Sequence, residues 1–166
     1  MKDSPPLYIV DTNILIDLHI GGLLRELFRL PLRLAAPDVI VTELLEPDGD
    51  TLVEHGLESM ELAGEQVLEV TSLLARYRSV STNDLFALVL ARTHKATLLT
   101  GDRHLSETAD QEGVMVHGTL WLLDEMVRLQ VIAPIKAAQA LERMLGRGSR
   151  LPRTECQKRL REWSAP

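Results

Sequence analysis

The sequence predicts an α/β protein, a three-layer α/β/α sandwich on a mostly parallel central sheet with further helices at its C-terminal end. Three observations carry that expectation. Short apolar runs bounded by polar residues, such as Leu7-Tyr8-Ile9-Val10 before Asp11, read as strands buried on both faces. They alternate with longer segments whose apolar residues recur at helical spacing, the order expected of a parallel sheet covered on both sides. Glycine and proline punctuate the joins.

Taken in order, residues 7–10 form the first strand, and residues 14–18 and 23–30 two short helices, split by Gly21-Gly22 and stopped by Pro31. Residues 32–36 are a second strand. Pro37 suits the first turn of a helix that carries Val39, Ile40, Leu44 and Leu45 on one face and ends at Pro47 and Asp48-Gly49. Residues 51–57 read as a helix, 60–62 as a strand and 67–77 as a helix. Ser81 caps a helix reaching residue 95, with Leu85, Leu88, Val89 and Thr93 at helical spacing. Residues 96–100 are a strand broken by Gly101-Asp102, 103–112 a helix closed by Gly113, 114–116 a strand, and 119–129 a helix opened by Gly118. Two more helices begin at Pro134 and Pro152 and run to residues 145 and 163. Between them Gly146-Arg147-Gly148-Ser149 reads as a hinge, because glycine is conformationally free.

At 166 residues, 45% hydrophobic and 25% charged, the chain fits one domain of ordinary size. Such a domain buries roughly 70% of its unfolded surface. This composition excludes a disordered chain, and the lone Cys156 excludes a disulfide scaffold. No apolar run approaches the roughly 18–20 residues of a membrane span, and MKDSPPLYIV is unlike a signal peptide, so a cytoplasmic protein without a membrane partner is expected. The net charge of −6 is unevenly placed: residues 37–75 hold ten acids and no Lys or Arg, whereas residues 143–166 hold seven bases against Glu155 and Glu162. An acidic chain is not an obvious nucleic-acid binder, but its basic end is suited to phosphates or an acidic partner.

Four acids stand out. Asp11 follows the first strand, Asp102 follows the strand at 96–100, Asp84 lies in the first turn of the Ser81 helix, and Glu43 lies on the helix after the second strand. Ligands of open parallel sheets collect outside the carboxyl ends of the strands. Clustered carboxylates need a positive charge to hold them together, and oxygen-only donors suit Mg²⁺ or Mn²⁺. Each acid also has a purely structural use: Asp84 completes a capping box with Ser81, Asp11 and Asp102 suit turns, and Glu43 suits a solvated helix face.

Together, Tyr8-Ile9-Val10-Asp11-Thr12-Asn13, Thr42-Glu43-Leu44, Ser81-Thr82-Asn83-Asp84 with Ala87 and Leu90-Ala91, and Leu99-Thr100-Gly101-Asp102 resemble the motifs of a PIN domain, over about residues 7–129. The stretch from Gly118-Thr119-Leu120 through Arg150-Leu151 is similar to the tail of a PIN-like subgroup known chiefly as nucleic-acid-binding proteins. The resemblance implies a PIN-like nuclease domain over residues 1–130, with residues 131–166 as a helical extension packed on or appended to it. It implies a ribonuclease dependent on Mg²⁺ or Mn²⁺, and a VapC-like toxin held by a VapB-like antitoxin. Residue by residue, it makes Asp11, Glu43, Asp84 and Asp102 the catalytic cluster and Asp11, Asp84 and Asp102 the metal ligands, supported by Asn13 and Thr100. A fifth acid found in some members has no counterpart, since Arg103-His104-Leu105-Ser106 fill its place. Arg103 and Lys95 are expected to hold flanking phosphates of a single-stranded RNA substrate.

Other readings fit less well. A haloacid-dehalogenase-type phosphatase needs an aspartate where Asn13 stands, and a response-regulator receiver needs adjacent N-terminal acids with a late lysine. His19, His55, His94, His104 and His117 are too scattered for a zinc site. The remaining alternative is a non-catalytic PIN-like module that binds RNA or a partner protein. Ile14, Ile20, Leu23, Leu24, Leu27 and Phe28 either fill the core or form a groove for an antitoxin helix or a homodimer face. The stretch after residue 146 is expected to be the more mobile part and to bind RNA or a partner. The competing expectation packs residues 152–163 on the core through Leu151, Leu160 and Trp163.

Overall fold

The structure is a computed structural model that describes residues 3–166. Five parallel strands form one sheet: β1 (Leu7–Val10), β2 (Arg33–Pro37), β3 (Glu58–Met60), β4 (Thr97–Leu99) and β5 (Val116–His117), in the order β3-β2-β1-β4-β5. Central β1 sets Ile9 opposite both Ala35 and Leu98, and all three are fully buried. A strand covered on both faces has no polar side to show, so it reads as an unbroken apolar run.

Among the described residues ten helices surround the sheet: α1 (Thr12–Ile20), α2 (Leu24–Leu27), α3 (Asp38–Glu43), α4 (Gly49–His55), α5 (Gly64–Arg76), α6 (Thr82–Thr93), α7 (Arg103–Gln111), α8 (Thr119–Arg128), α9 (Pro134–Gly146) and α10 (Arg153–Ser164). Helix α6 packs on β1, β2 and β4 with α5 and α7 beside it. Helices α1, α2, α8 and α9 pack among themselves, and Tyr8 of β1 stacks on Trp121 of α8 with ring centroids 5.4 Å apart, which ties this layer to the sheet.

Several local expectations are corrected. The helix at Pro37 is shorter than the apolar pattern suggests. Pro37 ends β2, pairing with Met60, and Leu45 leaves the helix to stand 89% exposed. The cause is tertiary: a Cβ on Gly49 would lie 2.0 Å from the Val41 carbonyl oxygen, so the chain doubles back tightly on α3 there. Strand β3 begins two residues before the expected 60, where Arg33 forks onto Glu58 at 2.8 and 2.9 Å. Strand β5 starts at Val116, not at 114. Much of the apolar set near α1 and α2 is core: Ile14, Leu23 and Leu27 are fully buried, and the partly exposed Ile20, Leu24 and Phe28 pack against them.

The expected hinge is a helix stop. The N–H of Ser149 donates to the Met144 carbonyl at 3.0 Å and that of Gly148 to the Leu145 carbonyl at 3.1 Å, while Gly148 holds φ +86°. This is a Schellman ending, which needs the left-handed backbone that glycine adopts without strain. Helix α10 then lies along α9, burying Cys156 and Trp163, and Arg159 grips both carboxylate oxygens of Asp124 on α8. The C-terminal helix is thus packed on the core, with Leu151 and Leu160 half-buried beside it.

Candidate active site at the carboxyl ends of the strands

The strand order reverses between β1 and β4, so the segments leaving these neighbouring strands diverge and open a crevice. Asp11 and Thr100-Gly101-Asp102 emerge at that point. The Asp11 N–H donates to the Leu99 carbonyl at 2.9 Å, extending the ladder by one rung. Asp11 begins α1, yet its side chain makes no capping bond. Its carboxylate is instead turned inward, 2% exposed, where Oδ2 accepts the Thr100 hydroxyl at 2.9 Å. The Thr100 oxygen in turn accepts the Asp102 N–H at 3.1 Å, so one hydroxyl fixes both acids.

Asp102 caps α7 through Oδ1, which accepts the Leu105 N–H at 2.8 Å. Asp84 combines two uses: its N–H donates to the Ser81 hydroxyl at 3.2 Å to close the α6 cap, and its half-buried carboxyl faces the other acids. Burial, then the negative charge of Asp84, push the Asp11 carboxyl from its ordinary 3.8 up to about 6. The Thr100 hydroxyl and the Thr12 N–H pull the other way, and Asp102 raises it further. The Asp84 carboxyl is also raised, by burial first and by Asp102, against the lowering effect of Ser81. The structure therefore brings Asp11, Asp84 and Asp102 within electrostatic reach of one another.

Glu43 stands at the edge. It ends α3 in solvent, and its Oε2 accepts from Asn83 Nδ2 at 2.9 Å, which ties it to the residue before Asp84. Asn13 is exposed at the mouth of a cleft of about 350 Å³, shared with Asp17, Gly101, Asp102, Arg147 and Arg150. Arg103 opens α7 on the surface, paired with Glu107 at 2.8 Å. Lys95 does not belong to this rim. It precedes β4 whereas Asp102 follows it, so the length of the strand puts them at opposite edges of the sheet.

Two contributions escape the sequence reading. Asn83 is the bridge to Glu43. Asp17 is a clamp: Oδ1 accepts the Ser149 hydroxyl at 2.7 Å and Oδ2 the Thr119 hydroxyl at 2.9 Å, joining α1, α8 and the turn after α9. The i, i+4 spacing of Asn13 and Asp17 signals a shared helix face. Nothing local signals Ser149.

Among the described residues, no group of three or more His, Cys, Asp or Glu side chains stands ready to hold a metal ion as placed. The donor chemistry fits a hard divalent cation all the same. The donors are carboxylate oxygens, they repel one another, and no cationic side chain is among the groups that act on Asp11 or Asp84.

Comparison with known proteins agrees with this architecture. The sequence matches the DUF3368 family, described as a PIN domain, over residues 7–165. No curated protein matches it. Among solved structures, a PilT N-terminus domain protein from the hyperthermophilic archaeon Sulfolobus solfataricus P2 is similar with a TM-score of 0.50 at 14% identity, over 71% of this chain and 91% of that one; the shared feature is the fold. No helix among the described residues is long and apolar enough to cross a membrane. PIN domains are in general nucleases and typically use divalent metals. Matched along nearly its whole length, the chain belongs to the PIN-domain family.

Proposed function

We propose that this PIN domain is an endoribonuclease that hydrolyses RNA phosphodiester bonds with Mg²⁺ or Mn²⁺, and that it acts as the toxin of a toxin–antitoxin pair, restrained by a VapB-like antitoxin. The observation that carries the nuclease reading is Asp11, a carboxylate almost wholly removed from water beside two more acids at the switch point of the sheet. Burying like charges without a cation opposes folding, so the arrangement is explained by what it binds.

Asp11, Asp84 and Asp102 would hold the ion, with Thr100 fixing Asp11 and the Asp102 backbone. When bound, a divalent cation supplies a more acidic water and charge to offset that growing on the phosphate oxygens. Glu43, whose Oε2 is held by Asn83, keeps Oε1 free to orient water at the rim. Asn13, exposed beside the cleft, and Arg103, exposed next to Asp102, would meet the RNA. Single-stranded RNA suits the site because its backbone bends into a cleft that a duplex does not enter. The antitoxin rests on the likeness to VapC-like chains, and co-purification with the product of a neighbouring gene tests it.

The direct test is cleavage of single-stranded RNA with and without Mn²⁺ by the wild type and Asp11→Asn. Cleavage that requires Mn²⁺ and is lost in the variant is expected. RNA bound but left intact in Mn²⁺ makes the chain a non-catalytic binding module, and RNA neither bound nor cut ends the nuclease reading.

A further inference from the structure

The cleft beside the acids has a second wall that the carboxylates do not account for. On one side lie Asn13 and Asp17 of α1 and Asp102; on the other lie Arg147 and Arg150, carried by the turn between α9 and α10. That turn is held in place by its Schellman bonds and by the Ser149 hydroxyl on Asp17. Both guanidinium groups are exposed, and among the described residues neither takes part in an ion pair. Two other arginines of this region are committed to the fold: Arg143 donates to the Gly21 carbonyl at 2.7 Å and Arg159 to Asp124. A place at the end of α9 lets Arg147 complement the helix dipole. Arg150 lies beyond the helix and gains nothing from it. Arg147 also borders a second cleft with Ile16, His19, Ile20 and Glu46.

We propose that Arg147 and Arg150 form a phosphate-binding rim, supplied by the C-terminal helices, that grips the backbone of single-stranded RNA beside the scissile phosphate. The proposal rests on the nuclease reading of the acidic site. The guanidinium fork matches two phosphate oxygens. An acidic floor repels RNA, and a basic wall next to it offsets that repulsion where the strand must enter. A turn anchored on Asp17 holds the donors ready, which reduces the ordering cost of binding.

The experiment measures binding of a labelled single-stranded RNA, and of a polyglutamate peptide of equal charge, to the full chain across about 50–200 mM salt, with Ca²⁺ present to neutralise the acids. Each phosphate contact to a single strand contributes about 0.7 to the salt slope, so Arg147→Ala/Arg150→Ala is expected to lower the slope by about 1.4 and the affinity at low salt about tenfold. The melting temperature should fall by no more than about 1–3 °C, the loss of the Arg147 charge at the end of α9, and Arg147→Lys/Arg150→Lys should keep the slope because it keeps the charge. If the double alanine variant binds RNA as the wild type does while the wild type cuts it, the rim is overturned and the nuclease reading stands. If the slope falls as expected but the wild type never cuts RNA, the rim stands and the nuclease reading fails. A loss confined to polyglutamate overturns the rim in favour of an acidic protein partner, and a wild type that binds no RNA overturns both.

Discussion

Two ends of the same sheet each hold a largely buried acid, in opposite electrostatic settings. At the amino end, Glu112 is 11% exposed and accepts from the Tyr77 hydroxyl at 2.7 Å and from Arg92 at 2.6 Å, with Arg76 at 3.5 Å; Arg92 also reaches Glu69. At the carboxyl end, Asp11 has one hydroxyl, the Thr12 N–H and two like charges for company, and no cation among the described residues. The Glu112 network matches charge with charge and pins α5, α6 and α7 together. The Asp11 cluster leaves charge unmatched, which costs stability and is retained where function needs it. Matched acids belong to the scaffold, and the unmatched one marks the candidate site.

The largest expected effect follows from removing that unmatched charge. Asp11→Asn should lower Mn²⁺-dependent RNA cleavage on the order of 10³-fold, since the ligand charge is lost while size is kept. The same change should stabilise the metal-free protein at neutral pH. The folded state holds the Asp11 proton more tightly than the unfolded chain, with a value of about 6 against 3.8. Between about pH 4 and 6 the folded state therefore carries more protons, and its stability falls as pH rises through that window. Two pKa units correspond to about 3 kcal/mol. Glu26, Glu58 and Glu125 are shifted downward and act in the opposite sense, so the difference between wild type and Asp11→Asn in EDTA is the quantity to follow. That difference should grow from pH 4 to 7, and a flat one means that Asp11 is neutralised by something else.

The next effect is metal linkage. Mn²⁺ at about 100 times its dissociation constant should stabilise the wild type by about 2.7 kcal/mol. It should leave the melting temperature of Asp11→Asn nearly unchanged. Equal stabilisation of both proteins would place the ion elsewhere and dissolve the contrast between the two ends. Glu112→Gln is the mirror experiment. It should cost about 1–3 kcal/mol, because the amide keeps one acceptor oxygen but loses the charge and sets an NH2 donor against either Arg92 or Tyr77, while cleavage per folded molecule is unchanged. Loss of cleavage without loss of stability would show that the amino end also serves the chemistry.

How far the sequence reveals these two ends depends on how local their causes are. Strands β1 and β4 are legible because burial on both faces removes polar residues from them, and α6 is legible because Ser81 and Asp84 close its first turn. The acids at the strand ends are legible by order and type. What escapes is set by contacts far along the chain. The end of α3 depends on Gly49 folding back against Val41, and the position of β3 on Arg33 meeting Glu58. Gly146-Arg147-Gly148-Ser149 looks flexible by composition, but the same glycine that frees a loop also stops a helix, and Ser149 finds Asp17 across 132 positions. Lys95 looks like a rim residue because it is basic and close in sequence to Asp102, and only the direction of β4 separates them.

Lys95 supplies the smallest and sharpest expectation. It ends α6 by the same device that ends α9: the Ala96 N–H donates to the Ala91 carbonyl at 2.8 Å and the Lys95 N–H to the Arg92 carbonyl at 3.2 Å, with Lys95 at φ +51°. A side chain in this left-handed conformation costs about 1–2 kcal/mol. Glycine would remove that strain, but its freer unfolded chain returns about 0.4–1 kcal/mol. Lys95→Gly should therefore stabilise by about 0.5 kcal/mol, raising the melting temperature by about 1–2 °C. Because Lys95 stands at the edge away from the acids, RNA affinity and its salt dependence should not change. A slope lower by about 0.7 would mean that one phosphate contact had been lost. It would make Lys95 an RNA-binding residue after all, and RNA would then have to reach across both ends of the sheet.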